Sequence, residues 1–101
     1  MNVLDDARAA RGWITAIIDN RWCQGKVYDE PSTYGINNGR VSKLAIAKEG
    51  VAALGAHTGL DFFENLDFNY DRGLDFDNLG EGTLDSIVAQ LEALPPTGAT
   101  P

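Results

Sequence analysis

Residues 3–19 read Val3-Leu4-Asp5-Asp6-Ala7-Arg8-Ala9-Ala10-Arg11-Gly12-Trp13-Ile14-Thr15-Ala16-Ile17-Ile18-Asp19. Val3, Ala7, Ala10, Ile14, Ile17 and Ile18 recur at the spacing of one helical face. Asn2 stands where an N-cap belongs. Asp5 and Asp6 fall in the first turn, where the backbone dipole favours acids. Trp13 borders the apolar face, and Arg8 lies on the solvent side. Gly12 weakens such a helix by about 1 kcal/mol relative to Ala. The spacing predicts a helix over 3–19, and a helical opening points to a helical domain.

Outward from that segment, Gly25 ends or turns the chain, and Trp22, Val27 and Tyr28 suit a short extended piece. Residues 31–39 are rich in turn formers, with Asn38-Gly39 a hairpin signal. A small hairpin with arms near 26–29 and 40–42 is expected there. Over 41–54, Leu44, Ala47, Val51 and Leu54 form one helical stripe, with Ile46 and Ala53 nearly opposite. A helix apolar on two faces packs between other elements, so this one is expected to be central, closed by Gly55. Thr58 caps a short helix over 60–66. Residues 69–82 read as an irregular loop pinned by Phe68, Tyr70, Leu74, Phe76 and Leu79, with a short strand near 74–76. A last helix is capped by Thr83, carries Asp85 in its first turn, and turns Leu84, Ile87, Val88, Leu91 and Leu94 to one side. Pro95-Pro96 stops it. The expected fold is mainly α: a compact three-helix domain with a small β-hairpin and an irregular acidic loop. A single globular domain spans 1–95, and 96–101 form a flexible C-terminal tail.

The 101 residues are enough for one domain. Their charge is unevenly placed. Residues 1–48 hold seven bases and five acids, whereas residues 49–101 hold one base and ten acids. An acidic half repels phosphates, which argues against direct nucleic-acid binding there and for a partner with a basic surface. The single cysteine, Cys23, excludes an internal disulfide and suits a reducing compartment. No apolar stretch approaches the roughly 20 residues of a membrane span, and no secretory signal is evident. A cytoplasmic protein without membrane contact is expected.

Between Asp61 and Glu81 stand seven acids and one base, Arg72. Leu-Asp-Phe occurs three times there, at 60–62, 66–68 and 74–76. Carboxylates alternating with core-type aromatics place charge on a surface fixed from beneath. Asp61, Glu64, Asp67, Asp71, Asp75 and Asp77, with Tyr70, are therefore the candidate partner-binding residues. Asp67-x-Asn69-x-Asp71 has the opening spacing of a calcium loop. Arg72 replaces the required glycine and Asn78 the bidentate glutamate, so no metal is assigned. Cys23 lacks a base placed beside it, His57 is a helix-end or surface residue, and no phosphate-binding glycine loop is present. No catalytic residue and no cofactor are expected, and the protein is read as a non-enzyme. Arg21, Lys26, Arg40, Lys43 and Lys48 could form a small basic patch beside Trp22 and Tyr28, although facing the acids or water is the simpler reading. The leading function is a small acidic interaction protein. The alternatives are a DNA-mimicking inhibitor of a nucleic-acid-binding protein and, behind it, a metal-binding domain.

Three further elements carry a resemblance. They are Trp22-Cys23-Gln24-Gly25, then Ala53-Leu54-Gly55, then Phe76-Asp77-Asn78 with Gly80-Glu81-Gly82 before Thr83. Together these resemble an uncharacterised family of small actinobacterial and actinobacteriophage proteins, over about two thirds of the chain. The chain departs from that pattern in lacking Trp before the Asn/Asp pair and a second Trp-Cys unit in the central segment. The resemblance implies fold and source, a phage or actinobacterial accessory protein, and transfers no functional residue; the leading function is then an interaction protein that binds a host protein through its acidic, aromatic-rich surface.

Overall fold

The computed structural model describes residues 1–50 and 65–98. It overturns the helical expectation. The described chain forms one six-stranded antiparallel sheet with strands in sequence order. The strands are β1 (Asn2–Ala7), β2 (Trp13–Ile18), β3 (Arg21–Val27), β4 (Val41–Ala47), β5 (Leu66–Asp71) and β6 (Leu74–Asp77). A single helical turn, α1 (Arg8–Arg11), separates β1 from β2, and one longer helix, α2 (Thr83–Glu92), packs on one sheet face. The protein is mainly β, not a three-helix domain.

The expected first helix is instead β1, α1 and β2. Gly12 decides this locally: it closes α1 with φ +84°, a left-handed conformation that glycine adopts without penalty. Beyond it, Ile14, Thr15, Ile17 and Ile18 are β-branched and favour extended backbone. Burial alternates strictly, with Ile14, Ala16 and Ile18 inside. Asp19 and Asn20, at φ 51° and 65°, then form a two-residue turn that pairs Ile18 with Arg21. Two positive φ values suit the right-handed twist of a tight hairpin.

The described part of the expected central helix is β4; positions 51–54 lie outside the described residues, as does most of the short helix over 60–66. β4 is central and covered on both faces. Leu44 and Ile46 enter the main core, and Ala45 and Ala47 join Trp22 and Leu66 on the opposite face. A strand buried on both sides loses its alternation and imitates a two-faced helix. The residues expected as a small hairpin are one end of the longer β3–β4 ladder: Val27 pairs with Val41, and the Tyr28 amide donates to the Arg40 carbonyl at 3.0 Å. No Asn38-Gly39 hairpin turn forms; a short 3-10 turn (Ile36–Asn38) lies there instead. Residues 69–82, expected as an irregular loop with a short strand near 74–76, supply half of β5 and all of β6, which is that short strand.

The main core lies between the sheet and α2. Ile14, Ile18, Val27, Leu44, Ile46 and Phe68 meet Ile87, Val88 and Leu91. Gly25 sits beneath the helix, where an added Cβ would lie 3.8 Å from Leu91 Cδ1. The apolar face expected for the last helix is present. Its cap is not as expected: Gly82, at φ +79°, precedes the helix, and no side chain makes a capping bond there.

Carboxylates tie the helix and C-terminal segment to the sheet. Asp19 accepts from Ser86 Oγ at 2.6 Å and Gln90 Nε2 at 3.0 Å. The Ser86 and then Gln90 bonds hold the Asp19 carboxyl below its ordinary range. Asp29 accepts from the Thr97 amide at 2.9 Å and the Gly98 amide at 2.9 Å, and the Thr97 amide is the main cause of its lowered pKa. A carboxyl whose pKa is lower when folded adds stability above its unfolded value of about 3.9 and loses it as pH falls through the folded value. Stability is therefore expected to stay level above about pH 5 and to fall below about pH 4. Denaturant titration of Asp19→Asn across that range checks this: its acid limb should be shallower than that of the parent chain. An unchanged limb contradicts the assignment.

Candidate functional site

The described part of the acidic segment spans β5, its turn and β6. Asp61 and Glu64 lie outside the described residues. The remaining candidates do not form a free row. Asp67 accepts from Arg21 Nη1 at 3.0 Å, with both side chains largely buried. The same Arg21 nitrogen also donates to the Ala47 carbonyl at 3.1 Å. Asp67 thus anchors β5 to the start of β3. Asp71 lies 3.4 Å from Lys43 Nζ, in an exposed pair of the kind that adds little stability. Asp75 accepts from Asn69 Nδ2 at 3.1 Å, and Asp77 accepts from the Leu79 amide at 3.0 Å, closing the turn after β6. Tyr70 packs against the core and donates its hydroxyl to the Tyr34 carbonyl at 2.9 Å.

The Leu-Asp-Phe copies are not equivalent. Phe68, in the second copy, is 1% exposed, whereas Phe76, in the third, is 37% exposed beside Leu74 at 63%. The difference follows from sheet position. Phe68 lies on the inner face of β5 opposite Ile46, beneath α2. β6 is the last strand, and all four of its residues are exposed. Among the described residues nothing pairs with its outer edge. An edge strand keeps a row of unpaired backbone N–H and C=O groups, a template for a further strand. This edge adds two apolar side chains flanked by Asp75 and Asp77. The sequence pattern suggests Leu74 and Phe76 as core anchors, and the structure corrects this. The available signal was brevity: the six residues between Gly73 and Gly80 cannot reach far under the helix.

The bases disperse. Arg21 is held by Asp67. Arg40 donates from Nη1 to the carbonyls of Glu92 and Leu94, both at 2.8 Å, and from Nε to the Tyr28 carbonyl at 2.7 Å, closing the C-terminal end of α2. Lys26 and Lys43 remain together as a cross-strand pair. Arg72, the lone base of the acidic segment, stacks on Tyr34 with Cζ 4.4 Å from the ring centre. Cys23 is 2% exposed, and burial pushes its thiol up to about 12, which leaves it without nucleophilic character near neutral pH. Among the described residues no cluster of His, Cys, Asp and Glu is arranged for a metal ion, and no helix is long and apolar enough to cross a membrane.

The architecture is thus a six-stranded antiparallel meander covered by one C-terminal helix, with an exposed acidic edge. The chain belongs to a family described as a domain of unknown function (DUF7678), whose sequence model matches residues 12–92. The resemblance to an uncharacterised family holds at that level. No curated protein and no solved structure matches the chain.

Proposed function

We propose that the protein is a non-enzymatic binding module that takes up an extended, basic segment of a partner protein along β6. The observation that carries this reading is the fully exposed edge strand, with Leu74 and Phe76 beside Asp75 and Asp77. Strand addition draws affinity from main-chain hydrogen bonds and specificity from alternate side chains. Apolar residues of the incoming strand would meet Leu74 and Phe76, and its Lys or Arg residues would meet the acids.

β1 is the other edge and is also exposed. It lies outside the matched residues 12–92, whereas β6 lies inside them. This favours β6 as the family's shared surface. The DNA-mimicking alternative finds less support, because Asp67 and Asp71 are already paired with bases. The proposal places the protein in a reducing cytoplasm, where the lone thiol stays reduced. From the resemblance, its setting is an actinobacterial cell or its phage.

The test uses a labelled peptide of about ten residues alternating Lys and Val, as an extended basic probe. Fluorescence anisotropy should show saturable binding that weakens with added salt. Leu74→Lys together with Phe76→Lys should reduce affinity about tenfold or more, since apolar contact is replaced by like charge. Val3→Lys together with Leu4→Lys, on β1, should leave it unchanged. Equal binding by the β6 variant contradicts the proposal.

A further inference from the structure

On the edge formed by β3, β4 and the β5–β6 turn, a depression of about 280 Å³ gathers Lys26, Lys43 and Arg72 with Tyr28, Tyr34 and Ser42. Three of the chain's eight bases line it, and among the described residues no acid does. That is unexpected in a chain of net charge −7. Lys26 and Lys43 are directly opposed across the β3–β4 ladder. Like charges at such positions repel, and Asp71, opposite Lys43 on β5, offsets this only from the far side of Lys43 and in an exposed pair. Lys26 is braced over Tyr28 and Trp13, its Nζ 5.5 and 6.0 Å from their ring centres. Arg72 is fixed twice, by its stack on Tyr34 and by its amide donating to the Ser42 carbonyl at 2.9 Å. Aromatics therefore position two of the three cations. Of the three, Lys43 has a carboxylate partner, the exposed Asp71.

Ser42 supplies a second, independent sign. It is the extra residue where the β3–β4 register shifts, it is 3% exposed, and among the described residues its hydroxyl has no hydrogen-bond partner. A buried hydroxyl without a partner is costly, and those that persist call for an explanation. The hydroxyl is closed to solvent, so a bound oxyanion would accept from it only after the Ser42 side chain changes rotamer.

We propose that this depression binds a small phosphate-bearing anion, inorganic phosphate or a compact phosphate monoester. Lys26, Lys43 and Arg72 would compensate its charge, and the Ser42 hydroxyl would donate to one oxygen. The volume is near the lower bound of ligand pockets, about 300 Å³, so the occupant is of head-group size. The site is separate from the outer edge of β6, and the proposal does not depend on the partner reading.

The test is thermal unfolding of the full chain with increasing inorganic phosphate, and separately phosphoethanolamine, against sodium chloride at matched ionic strength. A ligand that binds only the folded state raises the melting temperature in a saturable manner. Either phosphate compound is expected to do so while chloride does not, and the tighter of the two identifies a free ion or a monoester as the preferred form. Lys26→Met and Arg72→Met should each weaken the apparent affinity about tenfold or more, as loss of a charge-assisted contact implies. Ser42→Ala is the decisive variant. Without phosphate it should melt at the same temperature as the parent or higher, because an unpartnered hydroxyl has been removed. With phosphate it should gain less. Equal shifts with phosphate and chloride, or an undiminished phosphate response in any of the three variants, overturn the proposal.

Discussion

Phe68→Ala is expected to lower the unfolding free energy by about 3–5 kcal/mol, while Phe76→Ala is expected to change it by less than about 1 kcal/mol. The two phenylalanines occupy the same place in consecutive Leu-Asp-Phe copies. Phe68 is fully enclosed in the core that holds Leu44, Ile46 and the helix residues Ile87 and Leu91, and truncating it leaves a cavity that a close-packed core fills only in part. Phe76 already faces solvent on the edge strand. A domain of this size holds roughly 5–15 kcal/mol of net stability, so the Phe68 variant sits near the limit of folding. Urea unfolding of both variants reads the contrast directly. Equal losses would mean that the third copy is also a core anchor and would remove the apolar part of the β6 surface.

Arg40→Ala carries the second large effect, about 2–4 kcal/mol. Its guanidinium joins three carbonyls, those of Tyr28, Glu92 and Leu94, and so fastens the beginning of β4 to the end of α2. Reinforcing that junction, Glu92 accepts from the Arg40 amide at 2.8 Å. The last carbonyls of a helix lack partners within it and carry partial negative charge, so a cation there satisfies both needs. Removing the side chain leaves partly buried carbonyls unpaired. Arg40→Lys should recover only part of the loss, because an ammonium does not reproduce the planar fork that reaches several acceptors. Denaturant unfolding of the two variants, with amide exchange over residues 89–94, provides the check. Full stability in Arg40→Ala would show that solvent can serve the helix end equally well.

These two residues also mark where the fold is legible in the sequence and where it is not. The last helix can be read because Leu84, Ile87, Val88, Leu91 and Leu94 hold helical period over three turns and Pro95-Pro96 end it. The first segment misleads because Ile14, Ile17 and Ile18 satisfy a helical stripe while Ile14, Ala16 and Ile18 satisfy a strand. β-branching and the left-handed Gly12 settle that ambiguity in favour of the strand. Asp19-Asn20 makes the turn between β2 and β3, and it is a weaker hairpin signal than Asn-Gly. β4 is obscured by its own position: burial on both faces and two alanines look helical until neighbours on both sides are known.

The candidate site is legible only as composition. Density of acids points to the stretch of chain that forms an exposed edge. It cannot separate Asp67, which meets Arg21 from 46 residues away, from Asp75, whose partner Asn69 is local. Arg40 and Arg72 are likewise unassignable, since their partners are set by tertiary packing. The hydroxyl of Ser42 becomes notable only once its surroundings are known.

The central claim is that β6 is a recognition edge. Its most direct measurement is amide hydrogen exchange, resolved by residue, with and without a saturating extended basic peptide. New main-chain hydrogen bonds along the outer edge should slow exchange at outward-facing amides of Leu74–Asp77, while β1 amides at Asn2–Ala7 exchange as before. Protection confined to β1, or bound peptide that leaves the β6 amides unchanged, would contradict the account.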